Sequence, residues 1–572
     1  VNAMAEQDVF SKVMELAKRR GFLWPSYEVY GGVAGFYDYG PLGAQLRLGI
    51  ENLWRRYYVR GERFAEISAP AISPEGVFRA SGHLEKFADV MTECKKCGEA
   101  FRADHLLKEK YPEEAAGTME TIARALREHG VKCSSCKGEL GEPFQFNLMF
   151  RTNVGPGMKR VGYLRPETAQ AMFMDFTHLY HFFRDKLPFG AVQLGRGYRN
   201  EIAPRQGIIR LREFHMAEAE IFVDPKEKGK HPRFANLAGD VLHLVPAKDA
   251  ECDISIGDAV KKGVIANEWV GYYVGITSRF LLEAGVDRKR LRFRQHASTE
   301  MAHYAADCWD AEVQLSFGWT EVVGVADRTS YDLEAHMRVS GVDLRAFNRF
   351  EQPRTVQKVA VVPNPAKLGP KFKGQAKAIT LALSALDGNG KEGAEFLEVE
   401  LEGKTVRVEK DCFSVKIVTE TVNGEWFTPH VIEPSYGIDR ILYSVLEHAY
   451  FETKKEGEDY VVLKLRPAMA PVTVGIFPLA GKDELLVVAA DIDARLRSAG
   501  LTTYSDDSGS IGRRYARMDE VGTPYCVTVD FDGLKDGTVT VRDRDTTKQV
   551  RVPVSQIVDI IRELIDGKRK LE

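Results

Sequence analysis

Residues 199–220 read RNEIAPRQGIIRLREFHMAEAE, and the fold follows from how that stretch is parsed. The preceding residues 191–198 alternate loosely and carry two glycines. A breaker comes next, Ala203-Pro204-Arg205-Gln206-Gly207, and then residues 208–223, rich enough in β-branched and aromatic side chains to predict a strand. Two strands about a short loop make an antiparallel hairpin. Side chains alternate along a strand, so Ile209, Leu211, His215, Ala217, Ala219 and Ile221 share one mostly apolar face, with Glu213 the exception. Arg210, Arg212, Phe214, Met216, Glu218 and Glu220 share the other, and Arg199 and Glu201 share a face of the first strand. Arginine forks grip phosphate oxygens in pairs, a phenyl ring gives a purine a stacking surface, and a carboxylate can hold an ammonium. That face suits a nucleotide. It also suits a solvated hairpin whose charges pair with one another, and the pattern alone leaves both readings open.

The chain has 572 residues, which predicts three or more domains. Net charge is −3, so any RNA contact must use a local basic surface. No apolar run approaches the ~20 residues of a membrane span, so no membrane partner is expected. Four of the eight cysteines stand as Cys94-x2-Cys97 and Cys133-x2-Cys136. Two such knuckles predict a closed, structural tetrathiolate zinc site, with metal-free thiols as the competing reading and His105, between the pairs, not expected to be a ligand. Cys252, Cys308, Cys412 and Cys526 are scattered. With a polar, helical start and no signal-peptide pattern, they fit a reducing cytoplasm.

In chain order, residues 8–20 predict a helix, 22–43 a glycine- and aromatic-rich turn region, 46–60 a long amphipathic helix and 64–73 a strand. Pro166 suits the first turn of a helix over 168–183, with Glu167 at the positive end of its dipole. Residues 224–290 are mixed, with a helix at 268–284. His296 and His303 match no known ligand spacing and read as structural, or as groups that support a neighbouring site from behind its ligands. Residues 318–333 predict a short strand and then a turn holding Asp327 and Arg328. Residues 338–428 break the pattern, as an inserted subdomain would. Residues 430–448 read strand, glycine, helix, with Gly437-x2-Arg440 at the join. From about residue 466 an alternating α/β domain begins, large enough to fold alone. Its loop Ser508-Gly-Ser-Ile-Gly-Arg513-Arg514 suits a phosphate backbone, and Arg513, Arg514 and Arg517 suit a solvated helix start equally well.

These residues carry a family resemblance. Arg199-Asn200-Glu201, a loop and Arg210-x3-Phe214-x3-Glu218 resemble motif 2 of the class II aminoacyl-tRNA synthetases, over about 191–223. Residues 46–74 resemble motif 1, the family's dimer interface, and 429–448 resemble motif 3. The Arg102-Ala-Asp-His105 run, the RPETAQ run around Glu167, and Glu433-Pro434-Ser435 narrow the resemblance to glycyl-tRNA synthetases, and the long insertion before motif 3 makes it resemble their archaeal and eukaryotic branch. The implied fold is α+β. An antiparallel-sheet catalytic domain spans 4–465, with a zinc-ribbon-like CxxC/CxxC insertion at 90–142, a helical insertion at 225–290 and another at 338–428. A C-terminal α/β anticodon-binding domain follows at 466–572.

The resemblance implies the reaction: ATP activates glycine to the adenylate, and glycine passes to the 3′ end of tRNA(Gly), in a cytoplasmic homodimer. It gives ATP to Arg199, Asn200 and Glu201, to Ile209, Arg210, Leu211, Arg212, Glu213 and Phe214, and to Glu321, Val322 and Arg328. Gly437, Ile438, Asp439 and Arg440 complete that set. Arg199 would meet the α-phosphate, and Arg210 and Arg440 the β/γ end with Arg328 in support. Phe214 would stack on adenine, and Mg2+ would lie near Glu201 and Glu321. It gives glycine to Arg102 and Glu167, to Phe214, His215, Met216, Ala217 and Glu218, and to Glu433, Pro434, Ser435, Tyr436 and Gly437. Glu167, Glu218 and Glu433 would form an anionic cup for the ammonium. Two other readings compete. An inactive synthetase-like nucleic-acid-binding accessory protein is disfavoured by Arg199, Arg210 and Arg440 all being present. A class IIa synthetase for threonine, proline or histidine is disfavoured by the three-carboxylate pocket.

Overall fold

The structure, a computed structural model, describes residues 2–108, 110–115, 117–157, 160–202, 204, 206–297, 305–401, 404–455 and 457–571. A nine-stranded sheet carries its centre. In chain order the strands are β1 (Ala65–Glu66), β2 (Phe189–Tyr198), β3 (Glu213–Val223), β4 (Val241–Val245) and β5 (Cys252–Ser255). Then come β6 (Leu291–Gln295), β7 (Asp307–Leu315), β8 (Gly318–Thr329) and β9 (His430–Gly437). Their order across the sheet is β5-β4-β6-β7-β8-β9-β3-β2-β1, with parallel pairing only for β4 with β6 and β2 with β1. The predicted hairpin is β2 and β3, paired from Phe189↔Phe222 to Tyr198↔Glu213.

The hairpin's loop is longer than its sequence suggests. Residues 208–211, expected as strand, form turns instead. Gln206 and Gly207 take successive positive φ of 65° and 60°, which no strand accommodates. Ile208 and Leu211 bury themselves in the core rather than in a ladder. Arg199, Glu201, Arg210 and Arg212 therefore ride on a loop. Ala203 and Arg205 of the breaker lie outside the described residues.

One sheet face packs on helices. These are α1 (Asn2–Arg19), α2 (Pro41–Arg55), α4 (Glu268–Ala284) and α5 (Ile438–Ala449), whereas α3 (Ala169–Met174) packs on the opposite face, Phe173 against Phe222 of β3. The sequence predicts α4 at these same bounds. It is apolar nearly all round because it lies within the core, with Trp269, Tyr273 and Phe280 buried. α2 starts with Pro41 at its first turn and runs on into a π-helical turn, Arg56–Gly61. Trp54 of α2 stacks on Tyr58, and Tyr58 shares a 2.8 Å hydroxyl bond with Tyr436 of β9. Residues 225–290, read as a helical insertion, supply β4 and β5 to the main sheet and α4 to its core.

Two further expectations fail locally. The helix expected over 168–183 breaks at Asp175 into α3 and Phe176–Phe182, so Pro166 and Glu167 precede it and Glu167 is not in its first turn. The strand after Gly318 is long, so Asp327 and Arg328 lie in β8 and not in a turn.

The cysteine-bearing insertion contains a three-stranded sheet of Ala100–Arg102, Ala88–Glu93 and Phe144–Asn147 in that order. The C-terminal region holds β10 (Val474–Pro478), β11 (Thr503–Ser505), β12 (Tyr525–Val529), β13 (Thr538–Asp543) and β14 (Gln549–Pro553). Their order is β11-β10-β12-β13-β14, and the helices Asp483–Ser498 and Ile557–Ile565 supply apolar residues to the same core. Residues 345–428 form a compact unit of their own: a long hairpin, Ala346–Pro363 with Phe413–Phe427, and a core that includes Ile379, Leu383, Val399 and Val408.

Candidate active site

The register of three adjacent strands assembles the acidic pocket. Ser435 of β9 stands opposite Glu218 of β3 on one side and Gly324 of β8 on the other. One rung further, Glu433 stands opposite Ala326, with Glu220 on its other side. Partners across a sheet point to the same face, so carboxylates from two strands converge.

Each carboxylate is held differently. Glu218 accepts bonds of 2.6 Å from both the backbone N–H and the hydroxyl of Thr168, and 2.7 Å from Ser435 Oγ. Burial and the nearby charge of Glu167 raise its pKa despite those bonds. Glu433 accepts a 2.8 Å bond from Arg328 Nη1. Its burial, opposed by Arg328 but reinforced by Glu218 and Glu167, pushes it up to about 7. Glu167 accepts from Gln170 Nε2 at 2.8 Å and lies 3.4 Å from His83 Nε2. Burial acts to raise its pKa, but His83 and Arg328 hold it well below the usual carboxylate range. Glu220 is fully buried, and burial beside Glu433 drives it well upward. The pocket holds far more carboxylate than cation, which is the condition for capturing an ammonium.

A cavity adjoins it. The motif 2 loop contributes Arg199, Glu201, Ile208, Ile209, Arg210 and Leu211, and β3 contributes Phe214, His215 and Met216. Glu321 and Val322 come from β8, and Ser435, Gly437, Asp439 and Arg440 close the far side. Arg199 lies over the Phe214 ring at 5.2 Å and the Phe87 ring at 5.4 Å, which fixes the guanidinium beside the stacking surface. Arg440 donates to the Ile209 carbonyl at 3.1 Å and to the Glu321 carbonyl and carboxylate at 2.9 and 3.2 Å. Asp439 accepts from the Tyr39 hydroxyl and the His215 backbone, tying the aromatic-rich turn to β3.

Several expected ligands are placed elsewhere. Arg328 does not face the cavity. It is buried and donates to Asp332 at 2.7 and 3.0 Å as well as to Glu433, so its charge serves the acidic pocket rather than phosphates. Arg212 staples its loop to the Glu201 and Ala34 carbonyls, and Glu213 pairs with Arg196. The Asn200 backbone bonds to Leu148. Ala217 and Tyr436 are fully buried partners on the core face, Pro434 is two residues before Tyr436 on that same face, and Ile438 is buried in α5, so these side chains point away from the pocket. Tyr436 is further fixed by Tyr58 and Thr277. Arg102 pairs with Asp89 at 3.2 Å and Asp104 at 2.8 Å.

The sequence reading missed Thr168, His83 and Asp332 as supports of the pocket. Thr168 sits in the same RPETAQ run as Glu167, and Asp332 follows Arg328 by four residues, so both had a local signal. The four knuckle cysteines converge, with Cys94 Sγ 3.5 Å from Cys136 Sγ and Cys97 Sγ 3.7 Å from Cys133 Sγ. The N–H groups of Lys96 and Cys136 donate to sulfurs at 3.4 Å, and a Cβ on Gly138 would crowd two of the sulfurs. That cradle fits one tetrahedral ion.

Comparison with known proteins agrees with this geometry. Residues 156–234 match the family model for the tRNA synthetase class II core domain (G, H, P, S and T), and residues 473–564 match that for the anticodon binding domain. A Giardia lamblia prolyl-tRNA synthetase solved with prolyl-adenylate aligns over 99% of this chain and 80% of its own with a TM-score of 0.53, a likeness of fold at 14% identity. The antiparallel sheet with its motif 2 hairpin, and the anticodon-binding region after it, define a class II aminoacyl-tRNA synthetase. Among full-length relatives, the glycine--tRNA ligase of Methanothrix thermoacetophila is 54% identical over 98% of both chains. Those of Archaeoglobus fulgidus and Methanocaldococcus jannaschii are 51% and 47% identical, each over 98% of this chain and 98% and 99% of their own. The chain belongs to the glycine--tRNA ligase family.

Proposed function

We propose that this chain activates glycine with ATP and transfers it to tRNA(Gly), using the acidic pocket for the glycine ammonium and the adjoining cavity for ATP. The observation that carries the reading is Glu218, locked by Thr168 and by Ser435, which itself lines the cavity shared with Arg199, Arg210 and Arg440. Glycine offers no side chain to grip. Binding must rest on its two charges, and rejection of alanine on lack of room at Cα.

Activation needs no general base, because the glycine carboxylate is already the nucleophile. It attacks the α-phosphorus in line and pyrophosphate leaves, so positioning and charge neutralisation do the work. Arg199 takes the α-phosphate, and Phe214 stacks on adenine. Arg210 and Arg440 take the outer phosphates, releasing Glu201 and Glu321, which they face at 4.0 and 3.2 Å. Those two carboxylates are hard oxygen donors on the cavity wall and fit Mg2+. When bound, that ion would neutralise charge on the phosphates. Glu167, Glu218 and Glu433 hold the ammonium, and Ser435 orients Glu218. The 3′-hydroxyl of tRNA then attacks the adenylate.

The four cysteines fit a structural Zn2+. The 466–572 region is assigned to the anticodon. A homodimer is supported by the motif 1 resemblance and by Val29 and Tyr30, each 89% exposed on the aromatic-rich turn. Cytoplasmic residence rests on the free thiols.

The test is amino-acid-dependent ATP–pyrophosphate exchange with each standard amino acid singly. Exchange with glycine alone supports the reading. Exchange with another amino acid overturns the pocket assignment. No exchange from folded, ATP-binding protein supplied with tRNA turns it into an accessory nucleic-acid-binding protein.

A further inference from the structure

We propose that His296, Cys308 and Asp310 hold a divalent transition-metal ion of the zinc class on the substrate face of the central sheet. Their ligand atoms lie within 4.8 Å of one another. Cys308 and Asp310 are two apart on β7 and so point to one face. His296 follows β6 directly and stays in the ladder, its N–H donating to the Cys308 carbonyl at 3.0 Å. Its Nε2 lies 2.7 Å from Asp310 Oδ2. Three donors of three kinds thus meet across two strands.

The position links the cluster to the acidic pocket. Asp310 stands opposite Gly324, and Gly324 opposite Ser435. Cys308 stands opposite Ala326, and Ala326 opposite Glu433. Only a glycine and an alanine therefore separate the cluster from Ser435 and Glu433 of β9. A Cβ on Gly324 would meet nothing within 4 Å except Asp310 Oδ1 at 3.8 Å, so the space above that rung is open.

The donor set selects the metal. One thiolate, one imidazole and one carboxylate form a borderline-soft set suited to zinc, unlike the all-oxygen set that suits magnesium. Three protein ligands leave a coordination position free, whereas the four-cysteine centre is closed. Arg294 Nη2 donates to Asp310 Oδ2 at 3.1 Å and Arg294 Nε donates to Glu312. A hydrogen bond of this kind orients a ligating carboxylate from outside the coordination shell. Surrounding Asp307, Glu312, Glu321 and Glu433 leave the cluster rich in negative charge even with Arg292 and Arg294 beside it. The histidine drew no metal reading from sequence because its partners lie on another strand, and His303 lies outside the described residues.

The experiment is metal analysis of the full-length chain, loaded with Zn2+ and dialysed against metal-free buffer. The wild type should carry about one more zinc per chain than His296→Gln, Cys308→Ser or Asp310→Asn. Each variant should keep the ion of the four-cysteine centre. Co2+-loaded wild type minus Co2+-loaded Cys308→Ser should show a sulfur-to-cobalt charge-transfer band of a single thiolate. His296→Gln changes a partly exposed ring and keeps the protein testable should the β7 variants misfold. A folded His296→Gln chain with wild-type zinc content, or a flat cobalt difference spectrum, overturns the proposal. The measurement is independent of which amino acid the enzyme activates.

Discussion

Arg328 and Glu433 form a buried ion pair between adjacent strands, Nη1 to Oε2 at 2.8 Å, with side chains 4% and 9% exposed. The same guanidinium holds Asp332 at 2.7 Å. One cation thus anchors two carboxylates, beside a third, Glu220, that is fully buried. Breaking such a pair from one side leaves uncompensated buried charge, at a cost of ~3–5 kcal/mol. Arg328→Met should lose stability of that order in urea titration with an unchanged slope. A loss under ~1 kcal/mol would mean the carboxylates protonate at little cost, and the pair would not organise the pocket.

Glu218 has both oxygens committed, Oε2 to Thr168 and Oε1 to Ser435. Glu218→Gln keeps the shape, removes the charge and turns an NH2 group toward a donor. The glycine KM should rise tenfold or more, equivalent to at least ~1.4 kcal/mol, while the ATP KM moves about twofold or less. Equal rises for both substrates in pyrophosphate exchange would remove Glu218 from the ammonium site.

How much of this was legible follows from the range of each interaction. The β2–β3 hairpin and the shared face of Phe214, Met216, Glu218 and Glu220 follow from a period of two, a purely local rule. Arg210 and Arg212 were put on that face by extending the period too far. The apolar character of Ile208, Ile209 and Leu211 served core packing, which periodicity cannot distinguish from a ladder. The resemblance gives Arg328 to phosphate, and its ion pair with Glu433, 105 residues away, has no local signal. Tyr436 and Ala217 lie in the right segments on the wrong face. The Cys308–Ala326–Glu433 row depends on strand order, which local pattern does not encode.

Glu433, with a pKa of about 7 from burial beside Glu218 and Glu167, should make stability pH-dependent. An unfolded glutamate titrates near ~4.3. Between the two values the folded state binds more protons than the unfolded one, so stability falls as pH rises from about 4 to about 7 and flattens above. Glu433→Gln should make that slope shallower, leaving the share of Glu218 and Glu220, whose pKa values burial also raises. An ammonium favours the ionised form, so glycine binding below about pH 7 should release protons. Calorimetric titration of glycine in two buffers of different ionisation enthalpy reads that release directly. No buffer dependence would put the ammonium elsewhere.

The four-cysteine centre makes a sharper demand on its insertion than on the sheet. Tetrathiolate zinc contributes apparent binding free energies of ~10–16 kcal/mol in small domains, and besides it the knuckle turns are closed by short backbone bonds such as Gly98 N–H to the Cys94 carbonyl and Lys137 N–H to the Cys133 carbonyl. The insertion does have a core, built from Ala103, Leu107, Ile122, Ala125 and Leu126. That core lies between the two knuckles in sequence, with strand Ala100–Arg102 leading into it. Removing the ion should therefore loosen the turns at 94–98 and 133–138 and let Arg102 drift from Asp89, without unfolding β2, β3 or β9. Cys97→Ser should show new protease cuts confined to residues 88–147, with the thermal transition of the central domain kept. Cuts identical to wild type would show that the apolar core alone holds the insertion. Loss of the main transition would show that the zinc centre supports the catalytic sheet itself.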